Sequence, residues 1–117
     1  RSVRIRGKRE GLVRALSNLV CNAIQASGEA PEIQISVNAI DARRIQIRVR
    51  DQGPGIDETH LPHIFDPFYT TRASGTGLGL AVVAMTVNQH GGDISARNHP
   101  AGGAEFFMSL PMLAQSE

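Results

Sequence analysis

The chain is poor in sulfur and in aromatic rings, and each shortage rules something out. Cys21 is the single cysteine in 117 residues. No internal disulfide can form, and no second thiol offers a zinc-binding pattern. That usage fits a reducing compartment, and we expect a cytoplasmic protein. Aromatic residues make up 4%, too few for a platform on which nucleic-acid bases could stack. No long hydrophobic run is present. The most apolar stretch, residues 78–87, falls far short of the roughly 20 residues that a membrane span requires. No signal peptide opens the chain. Charge of one sign is also missing. Lys and Arg total 12 against 11 for Asp and Glu, so nothing draws the molecule generally toward nucleic acid or anionic lipid. Arg1, Arg4, Arg6, Arg9 and Arg14 do cluster, but apolar residues interleave them, and we read them as a solvated face. A start at Arg1 instead of methionine, running straight into a strand-like pattern, leads us to expect a piece of a longer protein.

What is present suits one folded domain. Hydrophobic residues make up 41%, enough for a small core. Residues 2–6 alternate, with Val3 and Ile5 on one side, as a short strand would. Residues 8–27 have helical spacing, with Leu12, Leu16, Leu19, Val20, Ala23 and Ile24 on one face. Gly28 is in place to end that helix. Residues 32–39 and 44–50 alternate through Ile33, Ile35, Val37 and Ile45, Ile47, Val49. They read as a hairpin turning near Asp41 and Ala42, with one buried face. Residues 51–74 are rich in turn formers, with a short helical turn near 58–61. Residues 78–90 read as a helix stopped by Gly91 and Gly92. Residues 93–98 and 104–110 form a second hairpin, with Ala104, Phe106, Met108 and Leu110 sharing a face.

These elements predict an α/β two-layer sandwich. One mixed, mostly antiparallel sheet of about five strands would be covered on one face by about three helices. We expect a single domain over residues 1–113 and a frayed tail at 114–117. Two hairpins argue against a doubly wound parallel fold.

Four segments carry chemistry. Asn18 and Asn22 stand four apart on the first helix, so their carboxamides project together beside the apolar stripe. A carboxamide oxygen is a hard ligand suited to magnesium. The same pair could equally be surface or capping residues. Asp51-Gln52-Gly53-Pro54-Gly55 follows a strand directly. Its carboxylate can accept hydrogen bonds, and its glycines let backbone approach a ligand, although a plain Gly-Pro turn has the same letters. Ile64-Phe65-Asp66-Pro67-Phe68-Tyr69-Thr70-Thr71-Arg72 could anchor a loop through Phe65 and Phe68 and bring Arg72 to a phosphate. Gly75-Thr76-Gly77-Leu78-Gly79-Leu80 opens the second helix, where exposed N–H groups attract anions. It is neither a dinucleotide fingerprint, because it follows a loop with G-x-G-x-G spacing, nor a Walker loop, because no Gly-Lys-Ser/Thr follows.

In order and separation, "LSNLVCNAIQAS", "DQGPGI", "IFDPFYTTR" and "GTGLGLAV" resemble the asparagine, first glycine, phenylalanine and second glycine boxes of the gyrase, heat-shock chaperone, histidine kinase and MutL ATPase superfamily. They are most similar to those of histidine kinases. The resemblance implies the Bergerat ATP-binding fold and the phosphodonor domain of a bacterial two-component sensor kinase. Asn22 would bind the magnesium bridging the phosphates of ATP, with Asn18 in support. Asp51 would take the adenine amino group beside Gly53, Gly55 and Ile56. Phe65, Thr71, Arg72, Gly75, Thr76, Gly77, Leu78 and Gly79 would complete the nucleotide site, with Arg72 near the phosphates. The short interval between Arg72 and Gly75 is similar to that of nitrogen-regulatory and flagellar-type sensors. Implied partners are a dimerisation and histidine-phosphotransfer domain of the same protein and a response regulator downstream, with neither nucleic acid nor direct membrane contact.

His60, His63, His90 and His99 lie in loops or at element ends, away from any acceptor context, and we expect packing or surface roles. Hydrolytic members of the superfamily carry glutamate where this chain has Asn18. An amide cannot act as a general base, so negligible hydrolysis is expected. Three other readings stay open: a gyrase- or MutL-type ATPase, a serine kinase of the anti-sigma-factor type, and a degenerate interaction module without nucleotide.

Overall fold

The structure is a computed structural model that describes residues 7–28, 32–67 and 79–112. Helix α1 spans Arg9–Ser27 and α2 spans Gly79–Gln89. The strands are β1 (Gln34–Ala39), β2 (Arg44–Arg50), β3 (Asp93–Asn98) and β4 (Ala104–Pro111). A 3₁₀ turn, Leu61–His63, lies between β2 and α2. It falls slightly later than the helical turn expected at 58–61.

The sheet runs β1-β2-β4-β3 with every neighbouring pair antiparallel. Four of the five expected strands are therefore seen among the described residues. The fifth, residues 2–6, lies outside them, as do residues 113–117. β4 is last in sequence but central in space, between β2 and β3.

Local chemistry explains the turns. Asp41 Oδ1 accepts the N–H groups of Arg43 at 2.7 Å and Arg44 at 3.0 Å. This side-chain turn closes the β1–β2 hairpin. Gly28 ends α1 at φ +82°, and Gly91 follows α2 at φ +77°, a region that costs a side chain but not a glycine. At Gly92 an added Cβ would run into the carbonyl oxygen of Ser109, so the turn from α2 into β3 passes directly against β4.

The core forms where one sheet face meets both helices. Ile45, Val49, Phe106, Met108 and Leu110 pack against Ala15, Leu19, Ala23, Val83 and Val87, all buried. Burying each of these side chains other than the alanines contributes about 1.5–3 kcal/mol. The helices run antiparallel. The α-carbon region of Gly11 faces Thr86 near one end, and Asn18 meets Gly79 near the other.

The first hairpin differs from expectation. β2 buries Ile45 and Val49, but on β1 Ile35 is 52% and Val37 57% exposed. Among the described residues β1 ends the sheet, and α1 lies over β2 and against α2. The cover given by these two helices thus ends before it reaches β1.

The opposite sheet face carries its own polar layer. Glu105 is 1% exposed although it points away from the helices. Arg48 and Arg97 clasp it through their Nε atoms, the latter at 2.9 Å, and the Arg97 guanidinium lies over the Phe107 ring at 5.4 Å. Burial alone would raise the Glu105 carboxyl pKa, but the two guanidinium groups outweigh it and hold the carboxyl below its usual value.

Candidate functional site

The site is built where the C-terminal half of α1, the loop after β2, the start of α2 and the β3–β4 hairpin approach one another. Asp51 immediately follows β2 and is 2% exposed. Its N–H donates to the carbonyl of Ala104 at 3.0 Å, continuing the β2–β4 ladder by one step. Its Oδ1 accepts the N–H groups of Gly53 at 2.9 Å and Ala104 at 3.0 Å. All hydrogen bonds to this carboxylate among the described residues go to Oδ1. Among the described residues the group is anchored by this one oxygen, and Oδ2 has the chemistry to accept a hydrogen bond from a ligand.

The loop is pressed between two supports. Gln52 donates its N–H to Ser27 Oγ at 3.1 Å. A Cβ on Gly53 would strike the backbone carbonyl of Ala26. Both contacts tie the loop to the last turn of α1, and only glycine fits at 53. On the other side Gly55 takes φ +85°, and Ile56 is held by the side chain of Asn98. Gly103 lies against Asp51, where a Cβ would collide with the Asp51 carbonyl.

Asn18, Asn22 and Ala26 follow one another at steps of four along one flank of α1. Asn18 Nδ2 donates to the carbonyl of Gly79 at 3.4 Å. Asn22 is half-buried. From Ala26 to Asn18 is roughly 12 Å of helix. One end of this strip meets the Asp51 loop and the other meets the first turn of α2. The separation suits an elongated ligand with a hydrogen-bonding ring at one end and an anionic tail at the other.

Of the residues singled out from sequence, the structure brings Asn18, Asn22, Asp51, Gly53, Gly55, Ile56 and Gly79 into this region. Phe65 serves the core, with its ring edge-on to Phe106 at a centroid distance of 6.2 Å. Thr71, Arg72, Gly75, Thr76, Gly77 and Leu78 lie outside the described residues, as do the second anchor Phe68 and the Arg72-to-Gly75 interval.

The chain has relatives and structural neighbours among known proteins. The profile of the "Histidine kinase-, DNA gyrase B-, and HSP90-like ATPase" family matches residues 7–114. The chain belongs to that family. It is 40% identical over 114 residues to the sensor histidine kinase ZraS of Klebsiella oxytoca, covering 97% of this chain and 25% of the relative. The mycobacterial sensor histidine kinase MprB superposes with a TM-score of 0.88 at 29% identity, covering 95% of this chain and 78% of that one. Full-length ShkA, solved in complex with AMPPNP, gives 0.78 at 31% identity, covering 92% of this chain and 22% of that one. The chain spans a quarter or less of the length of the curated relatives it matches. Family membership makes ATP the nucleotide such a domain takes, and the named relatives place the chain beside sensor histidine kinases.

Several residues at the site escaped the sequence reading. Asn98, Gly103 and Ala104 hold the Asp51 loop from the β3–β4 hairpin. The one local signal was the Gly102-Gly103 pair before a strand, which reads first as a hairpin turn. Asp57 begins the turn that leads away from the loop. The Thr59 N–H and then the Thr59 hydroxyl hydrogen-bond its carboxylate, and these hold its pKa below the usual value. Among the described residues no helix is long and apolar enough to cross a membrane, and no cluster of three or more His, Cys, Asp or Glu could hold a metal.

Proposed function

We propose that the chain is the ATP-binding phosphodonor domain of a two-component sensor histidine kinase, working on the cytoplasmic side of its cell. The observation that carries this reading is the buried Asp51 carboxylate, tied down through Oδ1 at one end of a strip whose other end meets the first turn of α2. A carboxylate acceptor suits the exocyclic amine of adenine. The N-terminus of α2 suits phosphate.

Phosphoryl transfer needs little covalent help from the protein. It needs alignment of the γ-phosphoryl group and neutralisation of its charge. Asn22 supplies a neutral, hard oxygen on the flank between the two ends of the strip. That donor chemistry fits magnesium, which is held by one or two protein groups plus substrate phosphates and keeps several waters. When bound, the ion would shield the phosphate oxygens. Asn18 bridges α1 to Gly79 and fixes the distance between the asparagine flank and the start of α2. Arg72 and the glycines at 75, 77 and 79 are proposed to close over the triphosphate. Asn18 cannot take a proton from water, so ATP bound here waits for another nucleophile.

That nucleophile is proposed to be an imidazole on a dimerisation domain of the same protein. The histidines of this chain are otherwise engaged. His90 Nε2 accepts the N–H of Lys8 at 3.0 Å while Nδ1 donates to the Thr86 carbonyl at 2.7 Å. His63 pairs with Asp66, and His99 Nδ1 accepts the N–H of Ala101. A response regulator would receive the phosphoryl group afterwards.

The test mixes this chain with the separately purified dimerisation domain of its parent protein and labelled Mg-ATP. Acid-labile, base-stable label on the added domain is expected, with almost no ADP released by this chain alone. Steady ADP release by the chain alone would instead favour a gyrase- or MutL-type ATPase. Label on serine would favour the anti-sigma-factor type.

A further inference from the structure

The loop that presents Asp51 has two ends, and one hairpin holds both. At the start of the loop Ala104, the first residue of β4, exchanges two hydrogen bonds with Asp51. At its end Asn98, the last residue of β3, grips Ile56 twice. Asn98 Oδ1 accepts the Ile56 N–H at 2.7 Å, and Asn98 Nδ2 donates to the Ile56 carbonyl at 2.6 Å. Asn98 and Ala104 face each other in the β3–β4 register. The open end of this hairpin therefore acts as a template for residues 51–56.

The Asn98 grip is chemically selective. A carboxamide presents one acceptor and one donor in a plane, the same pair that a neighbouring strand would offer to the Ile56 peptide unit. Gly55 is shaped to admit it. Its φ is +85°, and a Cβ placed there would meet Asn98 Oδ1 at 2.8 Å. Absence of a side chain at 55 and presence of an amide at 98 are thus two halves of one contact. Among the described residues β3 ends the sheet, and Asn98 is the side chain that holds this end of the loop to it.

We propose that Asn98 is a positioning residue for nucleotide recognition: it fixes residues 53–56 against the β3–β4 hairpin and thereby holds Oδ2 of Asp51 at the angle that adenine requires. The inference rests on the reading of Asp51 as the adenine acceptor. Asn98 need not touch the nucleotide. With the clamp released, the segment between Asp51 and Ile56 gains freedom that binding must remove, and affinity falls by that amount. Asp at 98 has the same shape as Asn and still accepts the Ile56 N–H. It cannot donate, and it sets a carboxylate against the Ile56 carbonyl.

The experiment compares wild type, Asn98→Ala and Asn98→Asp by three readouts: Mg-ATP titration in a calorimeter, thermal unfolding, and hydrogen exchange at the Ile56 amide. Both variants should bind Mg-ATP roughly 3- to 10-fold more weakly at a temperature where all are folded, as expected for loss of one or two neutral hydrogen bonds. The Ile56 amide should exchange faster in Asn98→Ala but keep most of its protection in Asn98→Asp. A purely structural role would lower the melting temperature and leave the affinity of the folded protein unchanged. Wild-type affinity in both variants, with Ile56 exchange accelerated in Asn98→Ala, overturns the proposal. So does unchanged Ile56 exchange in Asn98→Ala. If wild type itself failed to bind Mg-ATP, the nucleotide reading would fall, and the positioning role with it. The exchange data would then report separately on whether the clamp exists.

Discussion

Replacing Asp51 with Asn separates recognition from folding at the heart of the site. Oδ1 of Asp51 accepts two backbone N–H groups, from Gly53 and Ala104. Asparagine can keep both bonds only by placing its carboxamide oxygen in the Oδ1 position. Its NH₂ group must then occupy the Oδ2 position, where adenine would offer an amine. Donor meets donor, and a charged hydrogen bond worth about 1.5–3 kcal/mol is lost. That range corresponds to roughly 10- to 150-fold weaker ATP binding. Guanine presents a carbonyl at the same place, so discrimination against GTP should shrink in the same variant. Asp51→Ala should behave differently. It removes the proposed adenine acceptor and also orphans two backbone donors, which costs roughly 2–4 kcal/mol of fold stability. For a domain of this size the melting temperature should fall by about 8–16 °C. Calorimetric titration with both nucleotides and a thermal scan of each variant provide the assay. An Asp51→Asn protein that binds ATP as tightly as wild type would refute the assignment, whatever Asp51→Ala did.

Three further outcomes follow from the geometry. Glu105 titrates lower in the folded chain than in the unfolded one. Its contribution to stability is therefore complete above the ordinary carboxylate range and is lost as pH falls through the lowered folded value. Glu105→Gln should cost about 2 kcal/mol at neutral pH and flatten the acid limb of a plot of melting temperature against pH; an unchanged acid limb would contradict the Arg48–Glu105–Arg97 account. Gly53→Ala should destabilise the fold by about 1–3 kcal/mol and weaken ATP binding, because the new Cβ meets backbone of Ala26 that has no rotamer to yield; chemical denaturation measures the first and titration the second. On the proposed role of Asn22 as magnesium ligand, Asn22→Ala should abolish any gain in ATP affinity from magnesium, so titrations with magnesium and with EDTA should converge.

Legibility followed the range of the interactions. Alternation of Ala104, Phe106, Met108 and Leu110 revealed the buried face of β4, and the three-and-four spacing of Leu12, Leu16 and Leu19 revealed α1, because both patterns are local. β1 misled for the same reason. Ile35 and Val37 alternate like core residues, but nothing local tells that α1 stops over β2. Glu105 looked like a solvent residue on an outward face, and its burial depends on Arg48 and Arg97, which lie on two other strands. The site divided along the same line. Asn18, Asn22, Asp51, Gly53 and Gly55 could be singled out as candidates by composition and order. Asn98 and Ala104 could not, because their contacts come from a fold that brings them to Asp51 and Ile56 across more than 40 residues of chain.

The central place of β4 governs how the molecule can be made. Within the described sheet β2 and β3 are joined only through β4, and Asp51 has no Ala104 to grip until that strand is in place. On a ribosome the β1–β2 hairpin and then β3 would emerge with edges that β4 has yet to fill, and nucleotide binding would switch on only when residues 104–111 had cleared the exit tunnel. Loss of this one segment, by proteolysis or a premature stop, would erase sheet and pocket together.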